Sequence, residues 1–184
     1  EIVADYKLKA SRLQSPPEKK QRLLSNERID PSAASSHYPV PNFVIKGSPG
    51  VGKTTVVRLI GQIFYEVGIL RKGLTIEATS QDLVDRYVGG TAHRTRAKIA
   101  EAQESVLFVD DAYSLLDKSE DNNFSKQAID ELTAAMTNTA KYRFCLVLAG
   151  YPDQMDELLT MNAGLASRFG ASNIITIDDY TPPL

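Results

Sequence analysis

Lys53 and Thr54 end the run Gly47-Ser48-Pro49-Gly50-Val51-Gly52-Lys53-Thr54, which meets every constrained position of the phosphate-loop pattern G-x-x-x-x-G-K-[ST]. Glycines at these places let successive backbone N–H groups turn inward around a phosphate. The Lys53 ammonium has the reach for β- and γ-phosphates, and the Thr54 hydroxyl suits Mg²⁺. Thr55 completes the candidate cofactor-binding set, Gly47 to Thr55. A second motif, the acidic pair Asp110-Asp111, follows the apolar run Val106-Leu107-Phe108-Val109, the form of a Walker B element. Asp110 is placed to hold Mg²⁺ beside Thr54, and Asp111 to orient and deprotonate an attacking water. A glutamate usually fills that second place, and Asp111 is shorter by one methylene. A misplacement of ~1 Å at such a base costs on the order of 10²-fold. The chemistry expected is ATP binding with Mg²⁺ and hydrolysis of the γ-phosphate.

The elements that must position these groups are legible around them. Asn42-Phe43-Val44-Ile45 precedes the glycine loop as a buried strand, and Thr54 to Tyr65 follows as a helix with Val57, Ile60 and Phe64 at helical spacing. Its positive N-terminal end would then sit under the phosphates. Further strands are expected at Leu74–Ala78, Val106–Val109, Arg143–Ala149 and Ile174–Ile177. Helices are expected after Thr79 or Ser80 as N-cap with Asp82 in the first turn, then over Thr91–Gln103, Ser125–Thr137 and Asp153–Met161. Strands alternating with helices imply parallel pairing and right-handed crossovers. The fold class expected is α/β: a three-layer α/β/α sandwich of the P-loop NTPase type on a five-stranded parallel sheet. Ligands in such sheets lie at the carboxyl ends of the strands, where the loop falls.

Composition narrows the class. The 184 residues carry 42% hydrophobic and 24% charged residues, and the net charge of −2 gives no basic surface for nucleic acid. A single cysteine, Cys145 inside Phe144–Leu148, excludes an internal disulfide and reads as a small core residue. No run approaches the ~20 apolar residues of a membrane span, and no secretory signal pattern is visible, so a cytoplasmic compartment is expected. Residues 1–40 read as an N-terminal helix, about Ile2 to Gln14, and a Pro/Ser-rich linker; residues 41–184 read as the nucleotide-binding domain. Glu1 in place of Met, and an end at Pro182-Pro183-Leu184, lead to the expectation of a piece of something longer.

From about Pro41 to Pro182 the chain resembles one branch of the AAA+ ATPases, the group of red-type Rubisco activases and stage V sporulation protein K-like ATPases. Five stretches carry the resemblance: Gly47 to Thr55; Tyr87-Val88-Gly89-Gly90-Thr91-Ala92; Asp110-Asp111-Ala112-Tyr113-Ser114-Leu115; Leu148-Ala149-Gly150-Tyr151-Pro152-Asp153; and Asn162-Ala163-Gly164-Leu165-Ala166-Ser167-Arg168-Phe169. The resemblance implies the large subdomain of an AAA+ module. Tyr87-Val88-Gly89 would be the central-pore loop that grips a polypeptide, its aromatic ring giving sequence-tolerant contact and its glycines freedom to move. Arg168 would be the arginine finger reaching a neighbour's γ-phosphate, a charge worth ~10³–10⁵ in rate. The implied assembly is a homo-oligomeric, hexameric ring that threads or remodels a protein substrate.

Three departures stand out. Asp111 replaces the usual Glu. Around Ala149-Gly150-Tyr151, where many AAA+ relatives place a polar Asn or Thr as sensor, only Tyr151 offers a polar atom. The helical lid that follows the fifth strand in the family is missing, the chain ending at Leu184. Asp111 in place of glutamate motivates an alternative to a working ATPase, an ATP-binding, hydrolysis-poor assembly or regulatory subunit. A dehydrogenase fails because the loop lacks G-x-G-x-x-G. A small-molecule kinase leaves Tyr87, Arg168 and the Asp110-Asp111 strand without a task.

Overall fold

The computed structural model describes residues 39–85, 87, 89–116 and 123–178. The expected helix at 2–14 and most of the linker at 31–41 lie outside them, as does Val88.

Short apolar runs alternate with amphipathic segments along the chain, and they form strands and helices in turn. The strands are β1 (Phe43–Gly47), β2 (Thr75–Ala78), β3 (Val106–Val109), β4 (Cys145–Gly150) and β5 (Ile174–Ile177). The helices are α1 (Lys53–Glu66), α2 (Ser80–Leu83), α3 (Gly90–Glu101), α4 (Asn123–Thr137), α5 (Pro152–Met161) and α6 (Ala163–Ala166), with 3₁₀ turns at Ala112–Leu115 and Ala171–Asn173. All pairings are parallel and the strand order is β2-β3-β4-β1-β5. Strands buried on both faces need no polar alternation, which is why β3 and β4 are apolar throughout.

The alternation instead sorts side chains between two cores. Phe43 and Ile45 of β1, Val106 and Phe108 of β3, and Cys145, Val147 and Ala149 of β4 pack against Val57, Ile60 and Phe64 of α1. Val44, Leu107, Val109, Leu146 and Leu148 point the other way, into Leu83, Ile99, Leu132, Met155 and Leu158 from α2, α3, α4 and α5. Each fully buried aliphatic side chain is worth about 1.5–3 kcal/mol relative to exposure, so the sandwich is held from both sides.

Local chemistry sets the ends. Helix α1 stops where Gly68 adopts φ 74°, and the Gly68 and Ile69 N–H groups bond back to the carbonyls of Tyr65 and Phe64. Thr79 caps α2 as expected: the Asp82 carboxylate accepts from both the Thr79 N–H and its hydroxyl, each at 2.8 Å. Pro152 opens α5 at a position where no N–H is needed. Strand β4 begins at Cys145, two residues later than the apolar pattern suggests. The Arg143 N–H is turned to the Gln103 side chain and its guanidinium to the Ile69 carbonyl.

Candidate functional site

Because the sheet is parallel, β1, β3 and β4 all end on one edge. Val44, Leu148 and Val109 lie abreast. Past that row β1 runs on to Gly47 and the phosphate loop, β4 ends at Gly150, and β3 ends with Asp110-Asp111. Only β4 separates the loop strand from the acidic strand. The structure thus brings the two sequence motifs to the same edge of the sheet.

The loop itself is shaped for close approach. A Cβ on Gly47 would sit 2.9 Å from both the Ile177 carbonyl oxygen of β5 and Cγ2 of Val51. Gly50 and Gly52 hold φ of 79° and 92°, a region other residues reach only with strain. Gly52 caps α1 with no side-chain hydrogen bond, so the first-turn N–H groups of this 14-residue helix have no side-chain cap. Lys53 folds over the loop, its ammonium donating to the carbonyls of Gly47 and Ser48, both at 2.9 Å. Thr54 is half-buried, while Pro49 and Thr55 are exposed. Uncapped helical donors, side-chain-free turns and a tethered ammonium form a cradle that suits a polyphosphate. Thr54 and Asp110 offer a hydroxyl and a carboxylate, hard oxygen donors of the kind Mg²⁺ takes alongside waters. Among the described residues no cluster of three or more His, Cys, Asp or Glu is placed to hold a metal ion by itself.

The acidic pair is stiffened by its turn. The Asp110 N–H donates to the Ala78 carbonyl on β2, and its Oδ1 accepts from the Asp111 N–H at 3.0 Å. Asp111 stands at φ 47°, ψ 43°, in the left-handed region, and its carbonyl accepts from the N–H and hydroxyl of Ser114. Its carboxylate is exposed at the edge.

Tyr87 and Arg168 lie on separate projections, and neither side chain is hydrogen-bonded to the loop or the aspartates among the described residues. Tyr87 is 79% exposed on the turn between α2 and α3. The base of that turn is fixed. The buried Thr91 hydroxyl bridges the N–H and carbonyl of Asp85, the buried Thr95 hydroxyl donates to the Leu83 carbonyl, and the Asp85 carboxylate pairs with Arg94 at 2.7 Å. Gly89 caps α3 at φ 82°, and a Cβ on Gly90 would strike Asp85 at 2.7 Å. Arg168 follows α6, exposed and without an ion-pair partner among the described residues, while Leu165 and Phe169 on either side are in the core. Asp85, Arg94 and Thr95 lie outside the motif stretches, and Thr91 lies inside one without an assigned task; only their spacing from Tyr87 and across the first turns of α3 could have raised them.

A model of the ATPase family associated with various cellular activities (AAA) matches residues 43–173. Stage V sporulation protein K of Bacillus subtilis (strain 168) is 46% identical over 140 residues, which cover 76% of this chain and 42% of that protein. The chloroplastic ribulose bisphosphate carboxylase/oxygenase activase of Cyanidioschyzon merolae is 40% identical over 148 residues, 80% of this chain and 50% of that one. A CfxQ homolog of Guillardia theta matches at the same identity and coverage. The chain spans about half the length of the curated relatives it matches. The crystal structure of the FIGL-1 AAA domain in complex with ADP superposes with a TM-score of 0.53 at 20% identity, covering 78% of this chain and 45% of that one, a likeness of fold.

Proposed function

The chain belongs to the AAA ATPase family, in the group of the red-type Rubisco activases and stage V sporulation protein K, and on that premise we propose that it is the large subdomain, residues 41–184, of a Mg²⁺-dependent ring ATPase that remodels a protein substrate. The observation that carries the proposal is the convergence on one sheet edge of the Gly47–Thr55 cradle and the Asp110-Asp111 pair, with only β4 between them. In this reading the backbone from Ser48 to Gly52 surrounds the phosphates, and Lys53 releases its two carbonyl partners to meet the β- and γ-oxygens. Thr54 and Asp110 hold the Mg²⁺, which supplies charge neutralisation for the transferring phosphoryl group. Asp111 takes the proton of the attacking water. Arg168 serves the neighbouring subunit's site, consistent with a guanidinium displayed between two core anchors and paired with nothing else described. Tyr87, Val88 and Gly89 contact the substrate chain, the first supported by its exposure on a turn with a pinned base. Nucleic acid has no part in it. Among the described residues no helix is long and apolar enough to cross a membrane, and a reducing, cytoplasmic setting suits the unpaired Cys145.

The backbone of Asp111 favours a second reading, an ATP-binding subunit that hydrolyses poorly. Asp111 is one methylene shorter than glutamate, and its backbone is set in the left-handed region at φ 47° and ψ 43°.

Steady-state ATP hydrolysis by the full chain across protein concentration, beside Lys53→Ala and Arg168→Ala, separates the two. Specific activity that rises cooperatively with concentration and is lost in both variants supports the ring ATPase. Nucleotide binding without turnover at any concentration supports the second reading. Arg168→Ala should leave stability within about 0.5 kcal/mol of the parent, as an exposed side chain does. Lys53→Ala should abolish binding of a fluorescent ATP analogue while the fold persists.

A further inference from the structure

Tyr87 shows most of its ring to solvent, yet its main chain is bonded on both sides. Its N–H donates to Oδ1 of Asp85 at 3.3 Å, and its carbonyl accepts from the Gly90 N–H at 3.0 Å. The Asp85 carboxylate is itself held. Its Oδ2 lies 2.7 Å from Nε of Arg94, one turn into α3, and only 16% of the Asp85 side chain is exposed. The Asp85 main chain is fixed as well: its N–H donates to the buried Thr91 hydroxyl at 2.9 Å, and that hydroxyl donates to its carbonyl at 3.2 Å. Room for the carboxylate comes from Gly90. A Cβ there would stand 2.7 Å from Cβ, Cγ and Oδ2 of Asp85, so any side chain at the first position of α3 would displace it. Gly89, at φ 82°, closes the turn in a conformation that other residues reach only with strain. Both glycines thus have a fixed task, to seat one carboxylate beside one exposed aromatic residue.

We propose that Asp85 is the positioning residue for Tyr87: it ties the tyrosine's main chain to α3 through Arg94 and leaves the ring exposed to meet an extended polypeptide. This rests on the reading of Tyr87 as a substrate contact and deepens it. The two oxygens of one carboxylate divide the task. Oδ1 fixes the residue that grips, and Oδ2 joins it to a helix anchored in the core by Ile99. Hydrogen bonds to an ionised acceptor are the stronger class, which suits an anchor on the surface. A ring on a preset backbone binds a chain without the ordering cost that a mobile loop would add. A displacement of α3 would also carry the ring with it, as it would not carry a free loop.

The test is Asp85→Ala in the full chain, read in two ways. In protein labelled with ¹⁵N-tyrosine, the Tyr87 amide is assigned by its loss in Tyr87→Phe, and relaxation gives its order parameter. We expect about 0.85 in the parent, the value of rigid backbone, and below about 0.6 in Asp85→Ala, with the Tyr113 and Tyr142 amides unchanged. Anisotropy of fluorescein-labelled β-casein, an unstructured polypeptide, then reports the grip in the presence of Mg²⁺ and ATP. Asp85→Ala should bind casein about 10-fold more weakly, as when the competent turn falls to about a tenth of the population, with ATP affinity unchanged by calorimetry. Arg94→Ala removes an exposed side chain and leaves Asp85 in place; it should weaken casein binding by less, and it carries the test if Asp85→Ala does not fold. A parent Tyr87 order parameter below about 0.6, or casein affinity undiminished in these variants, overturns the positioning role while leaving the substrate contact intact. Casein binding that survives Tyr87→Ala, or that the parent lacks, defeats the substrate-contact reading itself, and the positioning role falls with it.

Discussion

At the scale of single residues, Asp111 carries two opposed demands. Its backbone at φ 47° favours aspartate, asparagine or glycine over longer side chains, whereas water activation favours the reach of glutamate. Asp111→Glu should therefore raise ATP turnover at least several-fold and lower the stability of the chain by about 1 kcal/mol, measured as kcat and urea midpoint on the same preparation. Unchanged turnover would show that reach is not what limits the site. Gly47 has no such latitude. Gly47→Ala forces a methyl against the Ile177 carbonyl and Val51, so it should destabilise by about 1–3 kcal/mol and weaken ATP binding at least 10-fold, read by calorimetry. That Lys53, Thr54 and Asp110 would fall at one edge of the sheet was legible in the chain, because each belongs to a short motif that follows a strand. The left-handed turn at Asp111 and the ring of Tyr113 over Gly150 were not, since one is a backbone state and the other joins positions far apart in sequence.

Among the elements, α3 shows best how polar residues enter a core. Thr91 and Thr95 are fully buried at helical spacing, and a hydropathy pattern passes over them. They are inside because their hydroxyls satisfy the backbone of the turn that carries Tyr87. Thr95→Val keeps the shape and strands the Leu83 carbonyl, at a cost of about 1–3 kcal/mol. Amide hydrogen exchange should quicken across 83–87 while β3 and β4 stay protected; uniform exchange across the chain would argue against a pinned base. The cap of α2 gives a pH dependence. Hydrogen bonds from the Thr79 backbone and hydroxyl hold the Asp82 carboxyl below its usual value of 3.8. A depressed carboxyl contributes stability that is present above that value and is lost as pH falls below it through the folded-state value. The urea midpoints of the parent and Asp82→Ala should differ at pH 7 and draw together as the pH is taken progressively below 3.8. The start of α2 was readable from Thr79, whereas α6 and the 3₁₀ turns, each four residues or fewer, are too short for periodicity to mark.

For the whole molecule, Cys145 is a built-in reporter. It lies at the start of the central strand β4, fully buried, and burial pushes its thiol far above the usual range. Thiol reagents should label it only through opening of the sheet, and saturating ATP should slow that labelling by its binding free energy; rapid labelling of the native chain would mean that β4 opens locally. The composition and alternation of elements were enough to anticipate a parallel three-layer fold. The strand order was not, because nothing in a run such as Phe43–Ile45 says which later runs will flank it. That order has a consequence for how the protein comes into being. Strands β2, β3 and β4 are neighbours in both chain and sheet, but β1 is flanked by Cys145–Gly150 and Ile174–Ile177, about a hundred residues or more downstream. As the chain leaves the ribosome, the glycine loop is made well before the two strands that support it on either side. Contacts of such long separation form slowly, so nucleotide affinity should arise late, with the arrival of β5, and newly made chains must wait with their phosphate loop unframed.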